Sequence, residues 1–306
     1  MVKNDIRKNK LKEGEIIPIC FDYVFSNIFN DRENVIILEN FLSTYFDLPL
    51  EEIKGNIKLL PRELKLESKK EANKQIDLVL KLNGELINIE LSNKMNQNII
   101  DRNIVFASNI HSRSLKYGNE NYNDINKTIQ INLVNYRMNE EIKEKYFFRN
   151  EKGKILSEKF EIDYVDMALA KKICYTKSDK LARWCMVFLS KTEKELREAL
   201  GGDLMENEAK EKVIDEVNRY STDEEVIQIY TKYSKQEMER NTFIEEAKRE
   251  GRKEGIKEGI KEGIIEGEKR RNIEIAKTML KDNLSLDNIS KYTKLSIEEI
   301  EKLLNK

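Results

Sequence analysis

The chain has 306 residues, a formal net charge of −1, and 36% charged against 39% hydrophobic residues, which fits two domains or one domain with an extension and leaves much solvated helix surface. Cys20, Cys174 and Cys185 lie too far apart for a disulfide framework or a Cys-x-x-Cys site, and a single histidine, His111, removes two-histidine zinc hydrolysis and most triad chemistry. No apolar run approaches the ~20 residues of a membrane helix, and neither a signal-peptide core nor a phosphate-binding glycine loop is written, so the expected address is the cytoplasm and the remaining chemistry is that of carboxylates with a hard cation such as Mg²⁺.

All three prolines, Pro18, Pro49 and Pro61, fall in the first 61 residues, so nothing later interrupts helices by that means. Phe21, Val24, Phe25, Ile28 and Phe29, then Ile37, Leu38, Phe41, Leu42 and Tyr45, recur at helical spacing and predict two helices split near Asn30-Asp31. Two basic patches stand out against the near-neutral whole: residues 3–12, and residues 54–74 with seven basic and three acidic side chains. Each is read first as a solvated face or a flexible terminus.

From Gln75 to Ser92 the period changes to two, with Ile76, Leu78, Leu80 and Leu82 before Asn83-Gly84 and Ile87, Ile89 and Leu91 after it. Asn-Gly between alternating runs predicts a hairpin, because both central residues of its tight turn need positive φ. Residues 97–117 read as a helix; Ile129, Ile131 and Leu133 read as a strand reached by a crossover, and Phe160, Ile162 and Tyr164 read as another. From about residue 178 the chain turns helical, with Leu181, Trp184, Cys185, Phe188 and Leu189 on one stripe. Trp184 is read as core and His111 as a surface or packing residue.

The resulting division is a globular domain over 1–205, a charged helical region over 206–250, a Glu-Gly segment over 251–271 and a small helical tail over 272–306. Glu-Gly recurs at 250/251, 254/255, 258/259, 262/263 and 266/267. A spacing of four makes a glycine ridge on a helix, yet each helical glycine costs about 1 kcal/mol against alanine. The segment is therefore either a face that lets another helix approach closely or a frayed spacer. In the tail, Ile273 to Leu280, Leu286 to Tyr292 and a third stretch opened by the capping box Ser296/Glu299 form a helix-turn-helix-like module. It is suited to protein contact as much as to DNA contact.

If Asn83 and Gly84 are the turn residues, the register pairs Ile76 with Leu91, Leu78 with Ile89 and Leu80 with Ile87 on a core face. The opposite face then sets Asp77 directly across from Glu90, beside Gln75 with Ser92 and Val79 with Asn88. Like charges opposed on a sheet destabilise it, and two close carboxylates do not readily both ionise. A divalent cation resolves the conflict; the alternative is that the acids face solvent or pair with lysine.

Asp77, thirteen residues before Glu90-x-Ser92 on the next strand, resembles the split acidic motif of the PD-(D/E)XK nuclease superfamily. More specifically the chain resembles the Rpn family of recombination-promoting nucleases, which are transposase-like. The features that carry the likeness are Phe21-Asp22-Tyr23-Val24-Phe25, Asp77, Ile87-Asn88-Ile89-Glu90, Arg102, Gly118 with Tyr122, the Glu-Gly repeat and the tail from Ile275-Ala276-Lys277 to Leu304. The resemblance implies an α/β, restriction-endonuclease-like core, a mixed sheet flanked by helices, here with a long helical C-terminal extension. It implies Mg²⁺- or Mn²⁺-dependent cleavage of DNA in the bacterial cytoplasm, in recombination, mobile-element or phage-related biology.

Carried over by position, Asp77 and Glu90 are the expected metal ligands and Asp22 an additional acid. Arg102 is expected to orient the site or contact phosphate, the alternative being a structural salt bridge, and Lys69, Lys70 and Lys74 of the second basic patch to contact nucleic acid. The chain departs from the family pattern at Ser92, where that family usually has glutamine and the superfamily lysine, and at Ser26, where a lysine is common. Serine is too short and uncharged to stabilise developing charge. Lys94, two residues on, substitutes for it if the strand continues that far. A second reading follows from these departures: a catalytically degenerate nuclease fold that binds DNA or protein. Homo-oligomerisation through the helical C-terminal region is compatible with either.

Overall fold

The computed structural model describes residues 10–61, 63–64, 74–96, 98–112, 125–172 and 179–304. The chain divides into two compact units, Met1–Thr231 and Lys232–Lys306.

In the first unit, α1 (Asp22–Asn30) buries Val24, Phe25, Ile28 and Phe29, with the Phe25 and Phe29 rings 4.8 Å apart and both against Phe188. It stops where expected, because Asp31 is extended and its carboxylate accepts from Glu33 N. After that short turn comes α2 (Val35–Phe46), then α3 (Leu50–Ile53). A six-stranded mixed sheet follows. In spatial order it runs β1 (Ile57–Leu59), β4 (Leu78–Leu82), β5 (Glu85–Ser92), β6 (Thr128–Val134), β8 (Phe160–Asp166) and β7 (Lys143–Phe147). Two further short strands, β2 (Glu63–Leu64) and β3 (Lys74–Gln75), pair apart from it.

The hairpin β4–β5 has the register its turn dictates: Leu78 opposite Ile89, Leu80 opposite Ile87 and Leu82 opposite Glu85. Asn83 and Gly84 take φ of 49° and 90°, the left-handed pair that a two-residue turn needs. From β5 the chain crosses through α4 (Ile99–Ser112) to β6, which lies parallel to β5, and β8 is parallel to β6. The helix expected over 97–117 is thus described as Ile99–Ser112, and residues 113–124, with Gly118 and Tyr122, lie outside the described residues.

Two edge strands were not foreseen. β1 has only three residues, and β7, Lys-Glu-Lys-Tyr-Phe, carries charge where an interior strand carries apolar residues. α4 covers one face of the sheet: Phe106 and Ile110 cluster with Ile76, Val79 and Leu86, and Ala107 clusters with Val134, Phe160, Ile162 and Tyr164. His111 closes this layer, its Nδ1 2.9 Å from Thr128 Oγ1 and its ring against Phe160.

After β8 come α5 (Met167–Lys172), α6 (Lys180–Leu189), α7 (Glu193–Leu200) and α8 (Asn207–Thr222). Trp184 on α6 is fully buried and donates from Nε1 to Thr44 Oγ1 at 3.1 Å. On α8, Ala209, Val213 and Val217 are buried, and Ser221 Oγ accepts from Ile17 N at 2.9 Å. Cys20 and Cys185 are buried free thiols, and burial pushes Cys20 up to about 12; Cys174 lies outside the described residues.

Helix α9 (Glu224–Lys281) begins in the first unit and continues through the second. It runs unbroken through the Glu-Gly segment, and a Cβ built on any of the five repeat glycines meets nothing within 4 Å, so no described segment uses the glycine ridge. The stretch Ile273 to Leu280, expected as a separate helix, is the end of α9: no breaker precedes it, and the stop comes at Asn283, with φ of 59°. α10 (Leu286–Thr293) and α11 (Ile297–Leu304) fold back to bury Ala276, Ile289, Leu295 and Ile300. The Ser296/Glu299 capping box forms, with reciprocal hydrogen bonds of 3.0 and 3.2 Å. Among the described residues, no helix is long and apolar enough to cross a membrane.

Candidate active site

Asp77 stands just before β4, and its position follows from the hairpin register. Its Oδ2 accepts from Leu91 N at 2.8 Å, its own N–H points at Glu90 Oε1 at 3.3 Å, and Asn30 Nδ2 at the end of α1 donates to its carbonyl at 2.8 Å. Glu90, on β5 beneath α4, is only 4% exposed. The two acids expected to face each other are therefore together, and backbone groups of one hold the carboxylate of the other.

Burial, and then the negative charge of Asp77, push the Glu90 carboxyl up to about 8, against the Asp77 N–H, Arg102 and Asn88, which favour its ionised form. No described lysine or arginine forms an ion pair with Glu90. Burial thus favours its protonated form unless positive charge arrives. A buried carboxyl of this kind beside a second, half-exposed carboxylate offers hard oxygen donors of the type a small divalent cation takes, so the residues fit such an ion. Among the described residues, no group of three or more His, Cys, Asp and Glu side chains converges as a metal cluster.

Asp22 opens α1 on the surface, where Asn93 Nδ2 donates to its Oδ1 at 3.0 Å while also donating to Cys20 O at 2.6 Å. Surrounding protein raises its carboxyl, and Asn93, Lys94 and Arg102 pull it back. Arg102, on α4, is half-buried, 5.7 Å from the centre of the Phe106 ring, and its buried Nε has no hydrogen-bond partner. Its charge acts on both Asp22 and Glu90.

Ser92 ends β5, 8% exposed, and its Oγ donates to the carbonyl of Lys94 at 3.2 Å. The strand does not continue to Lys94, which sits in the following bend with its charge felt at Asp22. The condition under which Lys94 shares the strand face of Glu90 is not met, because Asn93 turns away to serve Asp22 and Cys20. Ser26 is buried on α1 with an unpartnered hydroxyl. Lys74 begins β3, while Lys69 and Lys70 lie outside the described residues.

Sequence reasoning missed Asn93, Asn30 and a row of buried amides beside Glu90: Asn88, Gln130 and Asn132, each fully buried. One signal was available. Gln130 and Asn132 alternate with Ile129, Ile131 and Leu133 on a central parallel strand, where both faces are covered and polar residues must find partners.

A family model described as PD-(D/E)XK nuclease family transposase matches residues 19–247. No curated protein and no solved structure matches the chain.

Proposed function

The chain belongs to the PD-(D/E)XK nuclease family of transposases, and from that membership we propose that it is a divalent-metal-dependent DNA endonuclease of bacterial recombination or mobile-element biology, working in the cytoplasm. The observation that carries the reading is the placement of Glu90: buried, set against Asp77, whose N–H lies 3.3 Å from its Oε1, and without an ion pair among the described residues. Asp77 and Glu90 would hold Mg²⁺ or Mn²⁺, which supplies positive charge to a phosphoryl oxygen and lowers the pKa of water.

The chain's own residues do the rest. Leu91 N and Asp77 N keep the two carboxylates in place through backbone hydrogen bonds. Arg102, half-buried on α4 with its charge felt at Glu90, is the cation placed to attract a phosphate near the pair, and Asp22 accepts from Asn93 at the rim. Ser92 contributes no charge, and its hydroxyl is already spent on the Lys94 carbonyl.

That last fact favours a second reading, a nuclease fold that binds DNA or a protein without cutting. Supercoiled plasmid incubated with purified protein and Mg²⁺, Mn²⁺ or EDTA separates the two. Nicking that needs the ion and is lost in Asp77→Ala and Glu90→Ala supports the nuclease; DNA retained in a gel shift without nicking in any condition supports the binding module.

A second copy of the chain is the partner we assign to the Glu-Gly helix. Ile256, Ile260 and Ile264 stand 55–60% exposed on successive turns, beside glycines with open space around them. Ridges spaced by four residues interdigitate across a steep helix crossing. Light scattering of the full chain tests it: Ile260→Glu halves the measured mass, and an unchanged mass rejects this contact.

A further inference from the structure

Asn88, Gln130 and Asn132 line the sheet face beneath α4, with Asn88 opposite Gln130 and Glu90 opposite Asn132 across the β5–β6 pair. All three amides are fully buried, and their hydrogen bonds form one directed chain. It starts at the backbone carbonyl of Asp163, which can only accept. Asn132 must present Nδ2 to it, at 3.0 Å. Its Oδ1 then accepts from Gln130 Nε2 at 3.0 Å, and Gln130 Oε1 accepts from Asn88 Nδ2 at 2.6 Å. Asn88 Nδ2 has a second hydrogen, and 3.4 Å away is Glu90 Oε1.

A fixed acceptor at one end thus sets the orientation of three amides and delivers an N–H to Glu90 at the other. The cost is visible: Asn88 Oδ1 is buried with no partner, so the amide is held with its nitrogen doubly used and its oxygen unused. Asp77 N approaches the same Oε1. Both donors converge on one oxygen, and no described residue hydrogen-bonds Glu90 Oε2.

We propose that Gln130 and Asn88 are positioning residues for the metal-binding carboxylate Glu90: the amide chain pins Oε1 and leaves Oε2 for the cation. This rests on the reading of Asp77 and Glu90 as the cation site. Without Gln130, Asn88 loses the acceptor that fixes it and can turn Oδ1 toward Glu90, acceptor against acceptor. Partners of a metal ligand are worth about 10–100-fold in metal affinity, and residues acting through one another show non-additive effects.

The test is calorimetric titration of the full chain with Mn²⁺ alone, with thermal melts reporting folding. Gln130→Met, similar in volume but unable to hydrogen-bond, weakens Mn²⁺ binding about tenfold, as does Asn88→Leu, and the double variant is no weaker than either. Unchanged affinity in a folded Gln130→Met, or penalties that multiply in the double variant, overturn the relay while Glu90→Ala still abolishes binding. If Glu90→Ala binds Mn²⁺ as the wild type does, the cation-site reading falls and takes the relay with it.

Discussion

The same sheet buries two acidic groupings and neutralises them differently. On β8, Glu161 is 1% exposed, yet Lys145 at 2.6 Å and Lys127 at 2.7 Å hold its carboxyl below the usual range despite burial. Its neighbour Asp163 is pushed up to about 7, mainly by burial, with the Tyr45 hydroxyl donating to it and Lys145 3.8 Å away. On β5, Glu90 is as deeply buried but has amides and a backbone N–H in place of lysines, and it climbs to about 8. Glu161 is neutralised by lysines the fold itself supplies, whereas Glu90 has neutral donors and no ion pair among the described residues; under the proposed reading its positive charge comes from a bound cation.

The comparison can be broken most forcefully by deleting each grouping's key group. Asp77→Ala or Glu90→Ala should lower metal-dependent plasmid nicking by more than about a hundredfold, beyond what loss of a supporting partner costs, without lowering the melting temperature in EDTA, because each removes a carboxylate from an opposed pair. Lys145→Met should do the reverse. Loss of a hydrogen bond to a buried charge costs about 1.5–3 kcal/mol in chemical denaturation, and nicking at a temperature where the variant is folded should be unchanged.

The pH dependence sharpens the contrast. Folded Glu90 keeps its proton to about pH 8, whereas the unfolded chain releases it near 4.5, so between those values the folded state binds more protons. Stability of the metal-free protein therefore falls as pH rises through that window, by at most about 1.4 kcal/mol per unit from this group. Asp163 adds to the slope up to about pH 7. Denaturation in EDTA at pH 5, 6.5 and 8 should show the decline, and Glu90→Gln should flatten it; an equal slope in that variant means the burden lies elsewhere. The smallest effect belongs to the Glu-Gly helix, where Gly259→Ala adds no clash and should raise helix stability by up to about 1 kcal/mol, read by circular dichroism on heating.

What the sequence made legible follows from how local each constraint is. Asn83-Gly84 admits one turn and hence one register, which extended by one residue sets Asp77 against Glu90. The crossover from β5 to β6 was legible because a helical period separated two alternating runs. Edge strand β7 was not, since its Lys-Glu-Lys start shows no apolar alternation, although Lys145 pairs with the buried Glu161 of the neighbouring strand. The amide chain was hidden for the opposite reason: alternation marks Asn88, Gln130 and Asn132 as the outward face, and only α4 lying over that face turns them inward. Whether Lys94 shares the strand face of Glu90 was not legible, because no turn residue marks the end of β5 at Ser92, where Asn93 bends away to hold Asp22. The tail helix at Ile273 was separated from α9 because a frayed spacer was one of two readings left open for the Glu-Gly segment, whereas the helix runs unbroken through it.

The central claim is that Glu90 and Asp77 form a cation site whose buried acid waits protonated. Calorimetry at pH 7 in two buffers of different ionisation enthalpy measures it directly, because Mn²⁺ must displace the Glu90 proton to bind. The account predicts Mn²⁺ binding with release of close to one proton, and neither in Glu90→Gln; binding without proton release, or binding that survives the substitution, contradicts it.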